Sequence, residues 1–245
     1  MIKDKIKFLL KFTPFYPQHI GTYIRRLYFW KYIKKLPVEE FKEVLDAGCG
    51  GGEYAIKLAQ RFPWIKIMAI DLKTQNFASN HPSNVFFRKG DLLKLEDKAV
   101  YDFIYCIDVL EHIPNNLKVI QNFYQALKNG GYLYIHIPYD VGKRYIFPDK
   151  FFEEFNKWSK HKHIGKQYTL SEMTFNLQKI GFKIINAEYT FGFLGELAWE
   201  LDRVTDKHSL LKVFLMPLLK VLGQSSVKVK HKSGNVLVLA QKLDT

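Results

Sequence analysis

The chain has 245 residues, 47 % of them hydrophobic and 25 % charged, which is ample for a packed core and excludes wholesale disorder. Two cysteines exclude a disulfide framework and a zinc site of four thiolates, and make a reducing compartment the expectation. The net charge of +13 sits at the ends: residues 1–36 carry nine Lys/Arg against Asp4, residues 205–245 carry seven Lys against Asp206 and Asp244, and the 168 residues between are neutral.

In chain order, the first stretch (MIKDKIKFLLKF) begins like a secretory signal, but Lys11 breaks the apolar run and no small-residue cleavage site follows. Ile20, Ile24, Leu27 and Trp30 then fall at helical spacing among Arg25, Arg26, Lys31, Lys34 and Lys35. Short apolar runs at Val44–Ala47, Ile65–Ile70, Val85–Phe87, Phe103–Ile107 and Tyr132–Ile137 are expected strands, mostly unbroken as in a parallel sheet covered on both faces. Helices are expected at Glu53–Arg61 and Asn116–Lys128, the second closed by Gly130-Gly131. This alternation predicts a doubly wound, Rossmann-like α/β sheet.

Residues 139–168 read as a long aromatic, Lys- and His-rich loop with one short helix. Thr169-Leu-Ser-Glu172 is a capping box that opens a helix ending at Gly181. Phe182–Thr190 and Asn235–Gln241 are two further strands. The residues between them, about 191–233, are too many for a hairpin loop and form a helical insertion. Its best apolar run, Val213–Leu219, is seven residues with Pro217 inside, short of the roughly 20 that span a bilayer. A cytoplasmic protein, with peripheral contact to the inner membrane face, is the expectation.

The chemistry starts where the first strand meets Asp46-Ala-Gly48-Cys49-Gly50-Gly51-Gly52 and a helix follows at once. Glycines there turn the chain tightly and let a ligand approach the backbone. Asp71 closes the second strand, where a carboxylate accepts hydrogen bonds from a ribose diol. A dinucleotide G-x-G-x-x-G would need glycine at position 53, which is Glu53. Asp46, poorly placed beside a pyrophosphate, suits a ligand that carries an ammonium group.

With VLDAGCGGG, AID, GDLLKL, YDFIYCIDVLEHI and LKNGGYLYIHIP in this order, residues 43–138 resemble class I S-adenosylmethionine-dependent methyltransferases. The resemblance is to the small-molecule branch that includes ubiquinone- and menaquinone-pathway enzymes. It implies a seven-stranded sheet with the last strand antiparallel and helices on both faces. It also implies a single domain over 1–245: an N-terminal helical lid segment (1–40), a cofactor-binding core (41–138) and an acceptor-side half (139–245). By the same resemblance Asp46, Gly48, Cys49 and Gly50 cradle the methionine part of S-adenosylmethionine, Asp71 takes the ribose and Leu72 packs on the adenine. Gly90, Asp91 and Leu92 reach the adenine amine, and Ile107 lines the pocket. Asp91 equally fits a helix N-cap, and Cys49 a small filler.

Glu111 and His112 follow the fourth strand at the edge where open α/β sheets bind ligands, and His112 is the candidate general base. His136, Tyr139, His161 and His163 are further acceptor-side candidates. His161-Lys-His163 has metal-like spacing but no third ligand nearby in sequence, so no metal is expected. The implied reaction is methylation, at oxygen, of a small-molecule or lipid- or saccharide-linked acceptor. An RNA methyltransferase and a non-catalytic binder of the same cofactor are the alternatives, although nucleic acid is disfavoured by the neutral centre. Three readings of the basic ends stand side by side: packing on the sheet, contact with an anionic membrane surface, and RNA binding. Composition does not set the oligomeric state.

Overall fold

The computed structural model describes all residues except 1–17, 74, 76, 140–143, 207, 233 and 244–245. The signal-like start and part of the expected 139–168 loop therefore lie outside the described residues. The elements run α1 (Ile20–Ile33), β1 (Glu43–Ala47), α2 (Glu53–Arg61), β2 (Lys66–Asp71), β3 (Val85–Lys89), β4 (Tyr101–Ile107) and α3 (Asn116–Ala126). They continue with β5 (Leu127–Ile137), α4 (Glu153–Lys162), α5 (Leu170–Ile180), β6 (Phe182–Thr190), α6 (Gly192–Val204), α7 (Ser209–Lys228) and β7 (Asn235–Lys242). The chain forms two compact units.

One unit comprises residues 37–139, 161–188 and 236–245 and contains the sheet. Strand order is β3-β2-β1-β4-β5-β7-β6. The pairs β1–β2, β1–β4, β2–β3 and β4–β5 are parallel, and β7 runs antiparallel to β5, with Tyr134 opposite Leu239. Val44, Leu45, Ile67, Phe103, Ile104, Leu133, Ile135, Leu237 and Leu239 are all at or below 1 % exposure, so the central strands are buried on both faces. Each such side chain contributes roughly 1.5–3 kcal/mol on burial. Crossovers put β1, β2 and β4 side by side with their carboxyl ends at one edge, and the reversal of strand order between β1 and β4 opens a crevice there.

The Thr169 capping box is formed: its hydroxyl accepts from the Glu172 N–H, Glu172 accepts from the Thr169 N–H, and Gly181 closes α5 at φ 118°. One boundary differs from the sequence reading. Gly130-Gly131 does not end a helix at Lys128: α3 stops at Ala126, and the glycines lie within β5. Register shifts between Tyr101–Leu127 and Phe103–Tyr132, so residues 128–131 bulge, with Gly130 at φ 75°. Extra residues on one strand of a pair need such a kink, and glycine supplies it.

The second unit comprises the described parts of 1–36, 140–160 and 189–235. Its α1 buries Ile20, Ile24, Tyr28, Phe29, Tyr32 and Ile33, a face rotated from the expected Leu27–Trp30 side. Asp202 on α6 is fully buried and joins three segments: it accepts from the Ile20 N–H (3.1 Å), faces His19 (3.2 Å) and pairs with Lys212 of α7 (2.8 Å). These partners hold its carboxyl below the usual range although burial opposes them. Glu200, 1 % exposed, accepts from the N–H groups of Tyr145, Ile146 and Phe147. The sequence reading, which counted uninterrupted apolar runs, excluded a membrane-length segment. As a helix, residues 210–228 are long and apolar enough to cross a bilayer by length and composition.

Candidate functional site

The turn after β1 is stitched to the end of β2. The Gly48 and Cys49 N–H groups both donate to the Ile70 carbonyl, at 2.8 and 3.0 Å. The Gly50 N–H donates to Asp71 Oδ2 and the Lys73 N–H to Asp71 Oδ1, each at 2.9 Å. Gly48 has φ 82°, and a Cβ there would stand 2.2 Å from a methyl carbon of Val109, just beyond β4. Gly48→Ala combines left-handed strain with overpacking. We expect it to lower stability by at least about 2 kcal/mol, read as a thermal-midpoint drop of several degrees; an unchanged midpoint would show that Val109 yields freely. At Gly50, by contrast, a Cβ would meet nothing within 4 Å, so the turn faces open space.

Asp46, the penultimate residue of β1, is 5 % exposed, and its Oδ2 has no hydrogen-bond partner within the described residues. Burial pushes its carboxyl up to about 7, with the Tyr105 hydroxyl and the Ala55 N–H pulling it back and the Asp71 charge adding to the rise. A buried carboxylate with an unused oxygen at a strand end is set to receive a cation. Cys49 is half-buried. Desolvation, then the charges of Asp46 and Asp71, drive its thiol upward, so it is a poor nucleophile and its filler reading fits.

The strip after β3 runs beside β2. The Gly90 N–H donates to the Asp71 carbonyl (3.0 Å), and a Cβ on Gly90 would press on Ile70 at 2.9 Å. Asp91 caps the short turn Leu92–Lys94 by accepting from the Leu93 N–H at 2.9 Å. The capping alternative is thus realised; a carboxylate has acceptor sites left over. Leu92 is buried, and Asn122 of α3 donates to the Leu92 and Leu93 carbonyls at 2.9 and 3.0 Å. Asn122 was not singled out from sequence, because nothing local marks a long-range anchor. Leu72 is 60 % exposed and Ile107 half-buried at the end of β4.

Beyond β4 lies a second polar group. Asp108 has φ 53°, an unusual conformation for a non-glycine residue, and its Oδ1 is 2.8 Å from Nδ1 of His136, which is fully buried. Strain of this kind gathers at functional sites. The place of Asp108 one residue past a central parallel strand is the signal for it that the sequence carries. On the turn Leu110–His112, Nδ1 of His112 lies 2.9 Å from the Lys162 carbonyl. That oxygen accepts only, which places the proton on Nδ1 and makes Nε2 the basic nitrogen. Glu111, 2 % exposed, is 4.0 Å from Nε2, and the His163 ring centroid is 5.1 Å from that of His112. Ligand atoms of Glu111, His112 and His163 all lie within 4.8 Å of one another, a grouping with the donor types for a divalent ion. His161 of the His161-Lys-His163 pair is not part of this grouping, and Glu111 and His112 lie some fifty positions from His163. Burial and the His112 charge lower the pKa of His163.

The structure thus brings Asp46, Gly48, Cys49, Gly50, Asp71 and Gly90 into one bonded array across β1 and β2, with Asp91 and Leu92 continuing from it. His112 belongs to the separate group past β4. Both groups follow strands at the carboxyl edge of the sheet, beside the switch point between β1 and β4 where doubly wound sheets bind ligands. The methyltransferase domain pattern matches residues 21–187, more than half of the chain, and the chain belongs to that family.

Curated relatives include a trans-aconitate 2-methyltransferase of Deinococcus radiodurans, 28 % identical over 106 residues, covering 42 % of this chain and 40 % of the relative. A ubiquinone biosynthesis O-methyltransferase of Rickettsia typhi is 30 % identical over 111 residues, covering 43 % of this chain and 44 % of the relative. The matches therefore span less than half the length of these relatives. Among solved structures, phosphoethanolamine N-methyltransferase 2 of Haemonchus contortus, in complex with S-adenosyl-L-methionine, superposes with a TM-score of 0.58 at 22 % identity. That match covers 83 % of this chain and 49 % of the other, and shows the shared fold.

Proposed function

We propose that the protein is an S-adenosylmethionine-dependent methyltransferase that acts at oxygen on a small-molecule or lipid-linked acceptor. The observation that carries this reading is Asp46: buried, with an unused Oδ2, just ahead of a glycine turn that opens onto free space. These residues fit a ligand with an ammonium group at one end and a ribose at the other. Asp46 takes the ammonium. Asp71 uses one acceptor site on each oxygen for Gly50 and Lys73 and keeps others for the ribose hydroxyls. Leu72 offers its exposed apolar surface to the adenine, Asp91 and Leu92 hold the adenine edge, and Ile107 lines the pocket. When bound, the cofactor supplies a methyl group already activated by its sulfonium. The protein's task is then to align the acceptor oxygen in line and exclude water. His112, with its proton fixed on Nδ1, removes the acceptor hydroxyl proton through Nε2.

The O-methyl assignment has its support in the ubiquinone biosynthesis O-methyltransferase relative, and the small-molecule acceptor in that and the trans-aconitate 2-methyltransferase relative. The test pairs calorimetry of S-adenosylhomocysteine binding with its release on incubation with S-adenosylmethionine and phenolic or carboxylic acceptors. Binding in the micromolar range and turnover with one of these classes are expected. His112→Gln is expected to lower kcat on a phenol by roughly 10²–10⁴-fold with binding unchanged. Absence of S-adenosylhomocysteine binding would overturn the whole reading. Binding without turnover on either class would overturn phenols and carboxylic acids as its acceptors.

A further inference from the structure

We propose that α7 is a docking surface by which the protein lies on an anionic lipid bilayer. The helix is two-faced. Leu210, Leu211, Phe214, Leu218 and Val221 are 75, 49, 73, 50 and 56 % exposed. At 100° per residue these five share an arc of about 100°, a continuous apolar stripe along the helix. Met216, Leu219 and Ser226 on the opposite side are fully buried within the same unit. There the Tyr28 hydroxyl of α1 donates to the Ser226 carbonyl at 3.2 Å, and a Cβ on Gly223 would stand 2.9 Å from Ile24. Among the described residues, the stripe is what remains after the helix has met its neighbours.

Charge identifies the occupant. From residue 209 to residue 232 there are five lysines and no Asp or Glu. Lys212 points to the packed side, neutralised by Asp202 and Asp206. Lys220 sits at one flank, close enough to Arg26 of α1 to feel its charge. Lys228, Lys230 and Lys232 are exposed beyond the end of the stripe. An apolar stripe on a helix that carries lysines and no acidic residue of its own matches acyl chains below anionic headgroups. Parallel two-fold pairing of this face would set Lys228, Lys230 and Lys232 against their own counterparts. Nucleic acid would answer the cations and leave the leucines and Phe214 in water. A transverse span is disfavoured as well, because 28 % of this helix is already buried in protein, and Met216, Leu219 and Ser226 pack within the same unit.

The test uses the full chain without cofactor, so its result is independent of the methyl-transfer reading. Sedimentation with phosphatidylcholine vesicles carrying about a quarter phosphatidylglycerol is compared with pure phosphatidylcholine, at low and high salt. We expect at least ten-fold stronger partitioning to the anionic vesicles, lost at high salt. Phe214→Glu/Leu218→Glu should weaken it at least ten-fold. Lys228→Gln/Lys230→Gln/Lys232→Gln should weaken it roughly ten- to a hundred-fold, since each cation near such a surface contributes about five-fold. All these positions are exposed; thermal melts confirm folding, and Phe214→Gln/Leu218→Gln provides a milder pair. Failure of the wild type to pellet, equal pelleting on neutral vesicles, or undiminished pelleting of folded stripe variants would overturn the proposal. So would a dimer in light scattering that the stripe variants dissociate while vesicle binding is unchanged.

Discussion

Asp46→Asn is expected to raise the thermal midpoint of the ligand-free protein at pH 8 and, at the same pH, to weaken binding of S-adenosylhomocysteine. Both effects come from one buried carboxyl. Its folded pKa, about 7, stands above the ordinary 3.8. A raised acid pKa means stability that is fully present below about pH 4 and lost as pH climbs through about 7. Three units correspond to about 4 kcal/mol at most, of which the neutral amide should recover roughly 2–4 kcal/mol. For a chain of this size that is a midpoint gain of roughly 5–10 °C, shrinking towards pH 5 as the wild-type acid protonates. A ligand ammonium reverses the logic, because it favours the ionised form and draws the pKa down. Binding to the wild type therefore releases a proton below neutrality, and affinity rises with pH until about 7 and then levels. Calorimetry at pH 6.5 in two buffers of different ionisation enthalpy reads that proton directly. Wild type without proton release, or a variant that binds as tightly, would remove Asp46 from the ammonium site.

The same residue shows what was legible in the sequence. Asp46 and the glycines were identifiable because β1 is an unbroken apolar run that ends in them, and position 53 is glutamate where a dinucleotide site needs glycine. The inner strands β1, β4, β5 and β7 follow from apolar runs, since strands buried on both faces carry no alternation to misread, while the edge strands β3 and β6 are only partly buried. Helix α2 matches residue for residue. The error at Gly130-Gly131 arose because a glycine pair closes a helix or permits a bulge with equal ease, and only the register against β4 decides. What stayed hidden depends on distance along the chain. Val109 against Gly48, Asn122 under Leu92 and Leu93, and His163 beside His112 join segments about 30 to 60 residues apart. The helical face of α7 was hidden for another reason. Linear runs are broken by Lys212 and Lys220, whereas a helix turns both away from the stripe.

Removing the Asp71 carboxylate is expected to cost more binding than any other single change in the crevice. Asp71→Ala takes away the ribose acceptors and also both backbone bonds, to Gly50 and to Lys73, that hold the turn to β2. Hydrogen bonds to a charged group are worth roughly 1.5–3 kcal/mol each. Loss of two to the ribose therefore predicts at least a hundred-fold weaker S-adenosylhomocysteine binding, with a fall of a few degrees in the ligand-free midpoint. Asp71→Asn separates the two contributions. Its amide oxygen still accepts from Gly50, but its NH₂ cannot accept from Lys73, and the negative charge is gone. The turn should survive in the Asn variant while the diol contact weakens, so its melt should approach wild type and its affinity fall between those of the other two proteins. Asp91→Ala provides the contrast, since that side chain also caps Leu92–Lys94 and part of its loss is local unravelling. If Asp71→Ala binds within about three-fold of wild type, the ribose is held elsewhere, and the carboxylate serves the turn alone.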